Sequence, residues 1–510
     1  MLAKSIAACV VGIDAHPIEI EADVADGLPA MHLVGLPDPA VKEARERVRA
    51  AIINSQFEFP FGRITVNLAP ADLKKEGPAF DLPIALAILA ASGQVDPARV
   101  QDVTVVGELA LDGALRPIRG ALPIAWQLRR ARQPQLILPA ANAAEAALVH
   151  EVAVYPATTL QTVVHFLNGV APLVQQRVDL ETIFRNTRRY PCDFGEVKGQ
   201  AYAKRALEVA VAGGHNVLMI GPPGSGKTML AQRIPTILPD LTLEEALETT
   251  RLHSVLGLVP PDTGLVAMRP FRTPHHTASD VALVGGGAVP RPGEMSLAHH
   301  GVLFLDELPE FHRDVLESLR QPLEDGEVTV ARAKGRLTYP ARAMLVGAMN
   351  PCPCGYLTDA RRACHCTSAK IEQYLARISG PLLDRIDLHV EVPALRPRQL
   401  QLAADGESSA AIKVRVVAAR RRQQHRLRGR ALFCNAQMTH RDLARWCPLT
   451  PDAQTFLHQA LEDLRLSARA HDKLVKIART IADLAASDTI SVEHIAEAVQ
   501  YRALDHHLWA

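Results

Sequence analysis

Residues 221–228 read Gly-Pro-Pro-Gly-Ser-Gly-Lys-Thr and directly follow the apolar run Val217–Ile220. A strand entering a glycine-rich loop that ends in Lys-Thr is a phosphate-binding loop of the G-x-x-x-x-G-K-[ST] type. Gly221, Gly224 and Gly226 let backbone N–H groups turn onto phosphate oxygens without a Cβ clash, and Pro222, Pro223 and Ser225 complete the loop. Lys227 brings a point charge to the β- and γ-phosphates, and the Thr228 hydroxyl is a ligand for Mg²⁺. The segment Thr228–Leu238 reads as a helix whose N-terminus faces the phosphates. ATP and Mg²⁺ are the cofactors this chemistry calls for.

Four further segments carry residues suited to the same reaction. Gly301–Leu305 is a continuous apolar run, as in a central parallel strand, and ends in Asp306 and Glu307. At the carboxyl end of such a strand Asp306 can hold Mg²⁺ through water and Glu307 can polarise the attacking water. Leu345–Met349 is a second apolar strand ending in Asn350, which can orient that water, although Asn also starts turns. Arg385 stands among apolar residues in Gly380–Asp387. Delivered from a neighbouring subunit it would stabilise transition-state charge; chemistry alone weighs a salt bridge to Asp384 or Asp387 equally. Arg469 opens the helical stretch that runs to Ala486, where it can either reach nucleotide or remain solvated.

Other clusters suggest other ligands. Cys352, Cys354, Cys364 and Cys366 form C-x-C-x9-C-x-C, two thiol pairs across a short loop. Four thiolates so placed suit tetrahedral Zn²⁺, although the usual spacing within a pair is C-x2-C and four reduced thiols are the alternative. Such a knuckle would brace the loop after Asn350. His275-His276 and His299-His300 are adjacent pairs; in a strand their side chains would take opposite faces and could not share one ion. Residues 327–347 read as a β-hairpin with Lys334-Gly335 at the turn and Arg332, Lys334 and Arg336 at its tip, a cluster able to meet a phosphate backbone. Lys413–Arg430 carries eight Lys/Arg and no acid, which reads as a solvated helix face before it reads as a DNA contact.

The elements that must position these residues fall into three regions. The chain has 510 residues, 48% of them hydrophobic and 22% charged, with formal net charge +1. Its length suits about three domains, and its charge supplies no global attraction to nucleic acid or membrane. No apolar run approaches the ~18 residues of a membrane span. Cys9 follows too few residues for a lipoprotein signal, so the amino terminus reads as a first β-strand of a cytoplasmic protein whose eight cysteines are thiols or metal ligands. Residues 1–170 alternate short strands with helices predicted at Val41–Asn54, Leu82–Ala91 and Ala121–Arg132. A polar link follows at 171–193, then the nucleotide motifs at 194–394 with the cysteine knuckle at 352–366, then a helical region at 395–510. One helix there should start at Pro451 with Thr450 as N-cap.

Taken in order, the phosphate loop, LFLDE (303–307), GAMNP (347–351), GPLLDRID (380–387) and SARAHDKLVKIARTIADL (467–484) resemble the magnesium-chelatase-like branch of the AAA+ ATPases. Residues 271–287 and 290–311 resemble the ComM/YifB family within it, and the resemblance spans essentially the whole chain. It implies a multidomain α/β fold: a Lon-protease-like α+β amino-terminal domain, an AAA+ core and a carboxyl-terminal helical lid. It implies Walker A at Gly221–Thr228, Walker B at Asp306 and Glu307, sensor 1 at Asn350, a trans-acting arginine finger at Arg385 and sensor 2 at Arg469. Because a finger needs a neighbour, it implies a homohexameric ring, with the 327–347 hairpin facing the pore. In the amino-terminal domain, residues 75–83 and 106–113 resemble the Lon proteolytic fold, but Ala79 stands where that family has its Ser nucleophile and the Lys partner falls near Leu122. A methyl group cannot attack a carbonyl, so peptidase activity is not expected. The implied function is an ATP-driven motor on single-stranded or branched DNA, a helicase or branch-migration enzyme of natural transformation or recombination, with no membrane partner. A chelatase-type or protein-remodelling ATPase is the alternative.

Overall fold

The computed structural model describes every residue except 188–189, 288–289, 333–334, 358, 360–361, 396–405, 431, 465–467, 503 and 505–510. The chain divides into two compact units, Met1–Arg188 with Leu243–Ala267, and Arg189–Thr242 with Met268–Ala510.

The first unit is built on a seven-stranded mixed sheet in the order Ala30–Val34, Arg63–Ala69, Asp14–Ala25, Leu2–Val11, Thr104–Val105, Gln135–Pro139, Ala153–Ala157. Leu2–Val11 and Asp14–Ala25 form an antiparallel hairpin, while the last three strands run parallel. Strict alternation explains the second strand: Ile18, Ile20 and Ala22 are buried, whereas Lys4 of the first strand bridges Glu19 and Glu21 at 2.8 and 3.0 Å. Helices Pro39–Asn54, Asp81–Ala91 and Ala121–Ala131 lie within one residue or two of the predicted spans. Every residue of Asp81–Ala91 is buried, as the apolar run Leu82–Ala91 requires, and Asp81 is buried against Arg47. Each fully buried Leu or Ile there contributes about 1.5–3 kcal/mol of transfer energy.

The segment Leu243–Ala267, which the sequence places inside the nucleotide region, packs with this first unit. Its helix Leu243–Ser254 is anchored by Arg251, which donates to Asp14 Oδ1 at 2.8 Å and Ile13 O at 3.1 Å. The Ser254 hydroxyl donates to the buried Glu145 carboxylate, and Gly120 N donates to Ser254 O at 3.1 Å. A Cβ on Gly264 would stand 2.5 Å from Glu145 N, so only glycine permits this approach.

The second unit holds a five-stranded, all-parallel sheet in the order Phe271–Arg272, Val302–Leu305, Met344–Met349, Val217–Ile220, Leu388–Glu391. Its three central strands are wholly buried, which is why they read as continuous apolar runs. Helices Ser409–Arg426, Pro451–Asp463, Ala468–Leu484 and Val492–Gln500 share one hydrophobic core with this sheet. Thr450 caps its helix, accepting from Ala453 N at 3.3 Å, as the sequence predicts. The link before this unit is not featureless, since Leu180–Thr187 is helical.

The basic run Lys413–Arg430 is solvated only in part: Arg421, Arg422, Arg428 and Arg430 are exposed, while most of its cations have partners within the chain. Lys413 pairs with Asp240, Arg415 with Glu208 and Glu407, Arg426 with Asp483, and Arg430 with Asp442. Arg420 and Arg422 donate to backbone carbonyls of Val211, Ala212 and Asp483. Six of the eight cations are therefore tied to other parts of the chain, four through acids and two through carbonyl oxygens.

Candidate active site

The parallel sheet delivers the three apolar strand ends side by side, so residues far apart in sequence meet at one edge. Gly221 must be glycine: a Cβ there would lie 2.1 Å from the carbonyl oxygen of Val392, which follows the neighbouring strand. Gly224 and Gly226 have φ of 73° and 93° and open space where a Cβ would be. They serve backbone conformation and leave room for a ligand. Gly226 immediately precedes the helix Lys227–Ile237, whose N-terminal N–H groups and dipole favour an anion. The buried Ser225 hydroxyl has no hydrogen-bond partner among the described residues.

Lys227 is buried, and its ammonium donates to Gly221 O at 2.7 Å, Pro222 O at 3.0 Å and Asn350 Oδ1 at 3.2 Å. Burial lowers its pKa to about 8, against the opposing pull of Asp306. Thr228 Oγ1 donates to Asp306 Oδ2 at 2.7 Å, and Glu307 N donates to Asp306 Oδ1 at 3.0 Å. The 221–228 loop, Asp306 and Asn350 thus meet at one place, with Lys227 and Thr228 satisfied by neighbouring protein groups. Phosphate oxygens fit the Lys227 ammonium and the loop's N–H groups; Thr228 and Asp306 are the oxygen ligands that would hold Mg²⁺.

Glu307 has φ 52°, and its carboxylate lies 3.2 Å from His276 Nδ1. The histidine pairs correct the sequence expectation. His275 and His276 lie in a turn beyond strand Phe271–Arg272, and their rings approach to 4.1 Å between centroids. His299 and His300, equally outside a strand, have ring centroids 3.8 Å apart. Gln200 is another residue that motif reading missed: its amide donates to Ser225 O at 3.2 Å and Pro393 O at 2.7 Å, tying the loop to the end of the fifth strand. A motif search finds neither, because both pairings arise only between distant segments.

Arg385 and Arg469 are not engaged with the nucleotide loop. Arg385 donates to Pro381 O at 3.0 Å and pairs with Glu324, rather than with Asp384 or Asp387. Arg469 is 71% exposed, with its guanidinium 3.6 Å from Asp384. Asp387 is occupied elsewhere: despite the cost of burial, Lys473 at 3.6 Å and His215 at 3.3 Å hold its carboxyl well below the usual carboxylate range. Lys473 belongs to the helix Ala468–Leu484, so this cluster joins the helix carrying Arg469 to the sheet.

The four cysteines converge. Cys352 Sγ lies 3.3 Å from Cys354 Sγ and 3.7 Å from Cys364 Sγ, and Cys354 Sγ lies 3.5 Å from Cys364 Sγ. All four sulfurs fall within 4.8 Å of one another. A tetrahedral ion bound at about 2.3 Å would separate its sulfurs by about 3.8 Å, so the set fits one. Backbone N–H groups of Tyr356 and His365 lower the Cys354 thiol to about 6, favouring a thiolate, whereas burial pushes Cys352 up.

The hairpin forms from antiparallel strands Glu327–Arg332 and Gly335–Pro340, so Gly335 is a strand residue and the connection is 333–334. Lys334 and the side chain of Arg332 lie outside the described residues; Arg336 is exposed.

Three family models match the chain: magnesium chelatase subunit ChlI over residues 193–400, subunit ChlI of Mg-chelatase over 20–142, and the ChlI carboxyl-terminal region over 406–502. It is 48% identical over 497 residues to the uncharacterized protein YifB of Salmonella typhimurium, covering 97% of this chain and 96% of that one. It is 46% identical over 497 residues to the competence protein ComM of Haemophilus influenzae, with the same coverage. The chain belongs to the ComM/YifB family of magnesium-chelatase-like AAA+ proteins. ATP hydrolysis with Mg²⁺ is what that family implies, in keeping with the residues gathered around Lys227. A weaker likeness joins 27% of the chain to Lon protease 2 of Bacillus subtilis, at 29% identity over 157 residues. For the Lon-like comparison, Ala79 O accepts from Gly107 N at 2.9 Å, while Leu122 is fully buried and its N–H donates to Glu145 Oε1 at 2.9 Å. No described helix of this ComM/YifB member is long and apolar enough to cross a membrane.

Proposed function

We propose that the protein is an ATP-driven motor that acts on single-stranded or branched DNA, in natural transformation or recombination, as a homohexameric ring. The observation that carries the motor is the convergence of Lys227, Thr228, Asp306 and Asn350 at one sheet edge. In this reading Lys227 and the loop N–H groups bind the nucleotide phosphates, Thr228 and Asp306 hold the ion, Glu307 accepts the proton of the attacking water and Asn350 orients it. Mg²⁺, when bound, neutralises phosphate charge. Arg385 acts across a subunit boundary after leaving Glu324, and Arg469 reports nucleotide from the helical region. DNA as substrate rests on near full-length similarity to a competence protein, with Arg332, Lys334 and Arg336 of the hairpin as the track. The domain plan is a Lon-like domain at 1–170, a link at 171–193, an AAA+ core at 194–394 and a helical lid at 395–510. Ala79 and Leu122 support a first domain without peptidase activity, and eight cysteines read as thiols or metal ligands go with a cytoplasmic setting.

Steady-state ATP hydrolysis, measured without DNA, with single-stranded DNA and with a four-way junction at fixed salt, tests this. Several-fold stimulation by DNA is expected; a rate indifferent to every DNA would favour the chelatase-type or protein-remodelling reading, which the ChlI family models support. The cysteine knuckle is read as a structural Zn²⁺ site bracing the loop after Asn350. One zinc per chain is expected by metal analysis, lost in Cys364→Ser.

A further inference from the structure

Glu307 stands two residues beyond the strand Val302–Leu305, and its side chain is 60% exposed. A water-activating carboxylate must be held, because a small misplacement of a catalytic group costs on the order of 10²-fold in rate. His276 is the group that holds it, with Nδ1 3.2 Å from Oε2. The imidazole is itself fixed on two sides. The His275 ring lies against it at 4.1 Å, and the Phe311 ring meets it edge-on at 6.4 Å. His275 is tied to Thr277 through Nδ1 and Oγ1 at 3.0 Å, and Phe311 is buried at the end of the 3-10 turn that starts after Glu307. The strand leading to His276 is anchored as well: Arg272 makes a two-pronged pair with Glu294 at 2.6 and 2.7 Å.

We propose that His276 is a positioning residue for ATP hydrolysis: its Nδ1–H engages one oxygen of Glu307 and leaves the other as the acceptor for the attacking water. This rests on the reading of Glu307 as the water-polarising carboxylate. His276 makes no contact with Lys227 or Thr228, so its removal acts on turnover and not on nucleotide capture.

The test is steady-state hydrolysis by the full-length protein carrying His276→Phe, His276→Asn or Glu307→Gln. His276→Phe keeps an aromatic ring against His275 and Phe311 but donates nothing. Its kcat should fall about ten-fold, less than loss of the base itself, with KM for ATP unchanged. His276→Asn, which retains an N–H donor, should recover much of that loss. In the Glu307→Gln background His276→Phe should add nothing, because the two residues act as one unit. A His276→Phe protein with wild-type kcat, or one whose loss appears in KM, overturns the proposal. If Glu307→Gln itself hydrolyses at the wild-type rate, the reading of the site fails instead, and the two failures are distinguishable. Unchanged KM in His276→Phe also shows that the variant has folded.

Discussion

Both units pack helices against a sheet and carry polar groups in apolar surroundings, yet the buried pairs of the first and the 221–228 site of the second use those groups in opposite ways. In the first unit the polar pairs are closed. Asp81 is fully buried and receives both Nε and Nη2 of Arg47 at 2.8 and 3.0 Å, and Leu109 N adds a third bond at 3.3 Å. Glu145 is likewise buried and spends its oxygen on Leu122 N and the Ser254 hydroxyl. Around the 221–228 loop of the second unit the pairs sit at an open sheet edge and join groups that a ligand can replace: ammonium to carbonyl oxygens and an amide, hydroxyl to carboxylate, imidazole to a half-exposed carboxylate. Buried polarity by itself does not mark a site. What separates the two is whether the donors and acceptors face a space another molecule can enter.

The largest expected effect sharpens that contrast. Glu307→Gln should bind ATP normally and hydrolyse it about 10²–10⁴-fold more slowly, while unfolding at the wild-type temperature. Filter binding and steady-state kinetics would show it, and a fall in stability comparable to a core mutation would erase the distinction. Arg47→Met should do the reverse. It leaves the Asp81 carboxylate buried without its partner, at a cost of about 3–5 kcal/mol, with ATP affinity unchanged. Denaturant unfolding followed alongside nucleotide binding checks both halves. The smallest effect concerns Glu145, whose pKa burial raises above the ordinary carboxylate value against the pull of Ser254. An acid with a raised folded pKa binds more protons when folded. Its contribution therefore turns unfavourable as pH rises from the ordinary carboxylate range through the raised value. Glu145→Gln should be more stable than wild type at neutral pH, and the difference should vanish as pH falls toward 4.5, the ordinary Glu value. A gain that persists in acid would mean that it does not arise from the ionisation of Glu145.

The nucleotide loop was legible because its chemistry is local: a strand, three glycines and Lys-Thr specify backbone N–H groups and a helix start within eight consecutive residues. The apolar strands ending in Asp306 and Asn350 were legible for a related reason, since full burial in a parallel sheet leaves an unbroken apolar run. The cap at Thr450 and the buried helix at Asp81–Ala91 are likewise written in short-range pattern. The basic run Lys413–Arg430 shows where this stops. A charge count cannot tell a solvated cation from one that pairs with Glu208 or Asp240, because the partner lies some two hundred residues away.

The sequence alone determined the strand, glycine-rich loop and helix around residues 221–228 and that four thiols sit close along the chain. Only the tertiary structure decided that Asn350 meets Lys227, that His276 meets Glu307, that Arg385 pairs with Glu324 and that Leu243–Ala267 leaves its chain neighbours for the first unit. The reason is physical. Local motifs are fixed by backbone conformation and hydrophobic period, which need only near neighbours, whereas a side chain's partner is set by how sheets and helices close, which depends on the whole core.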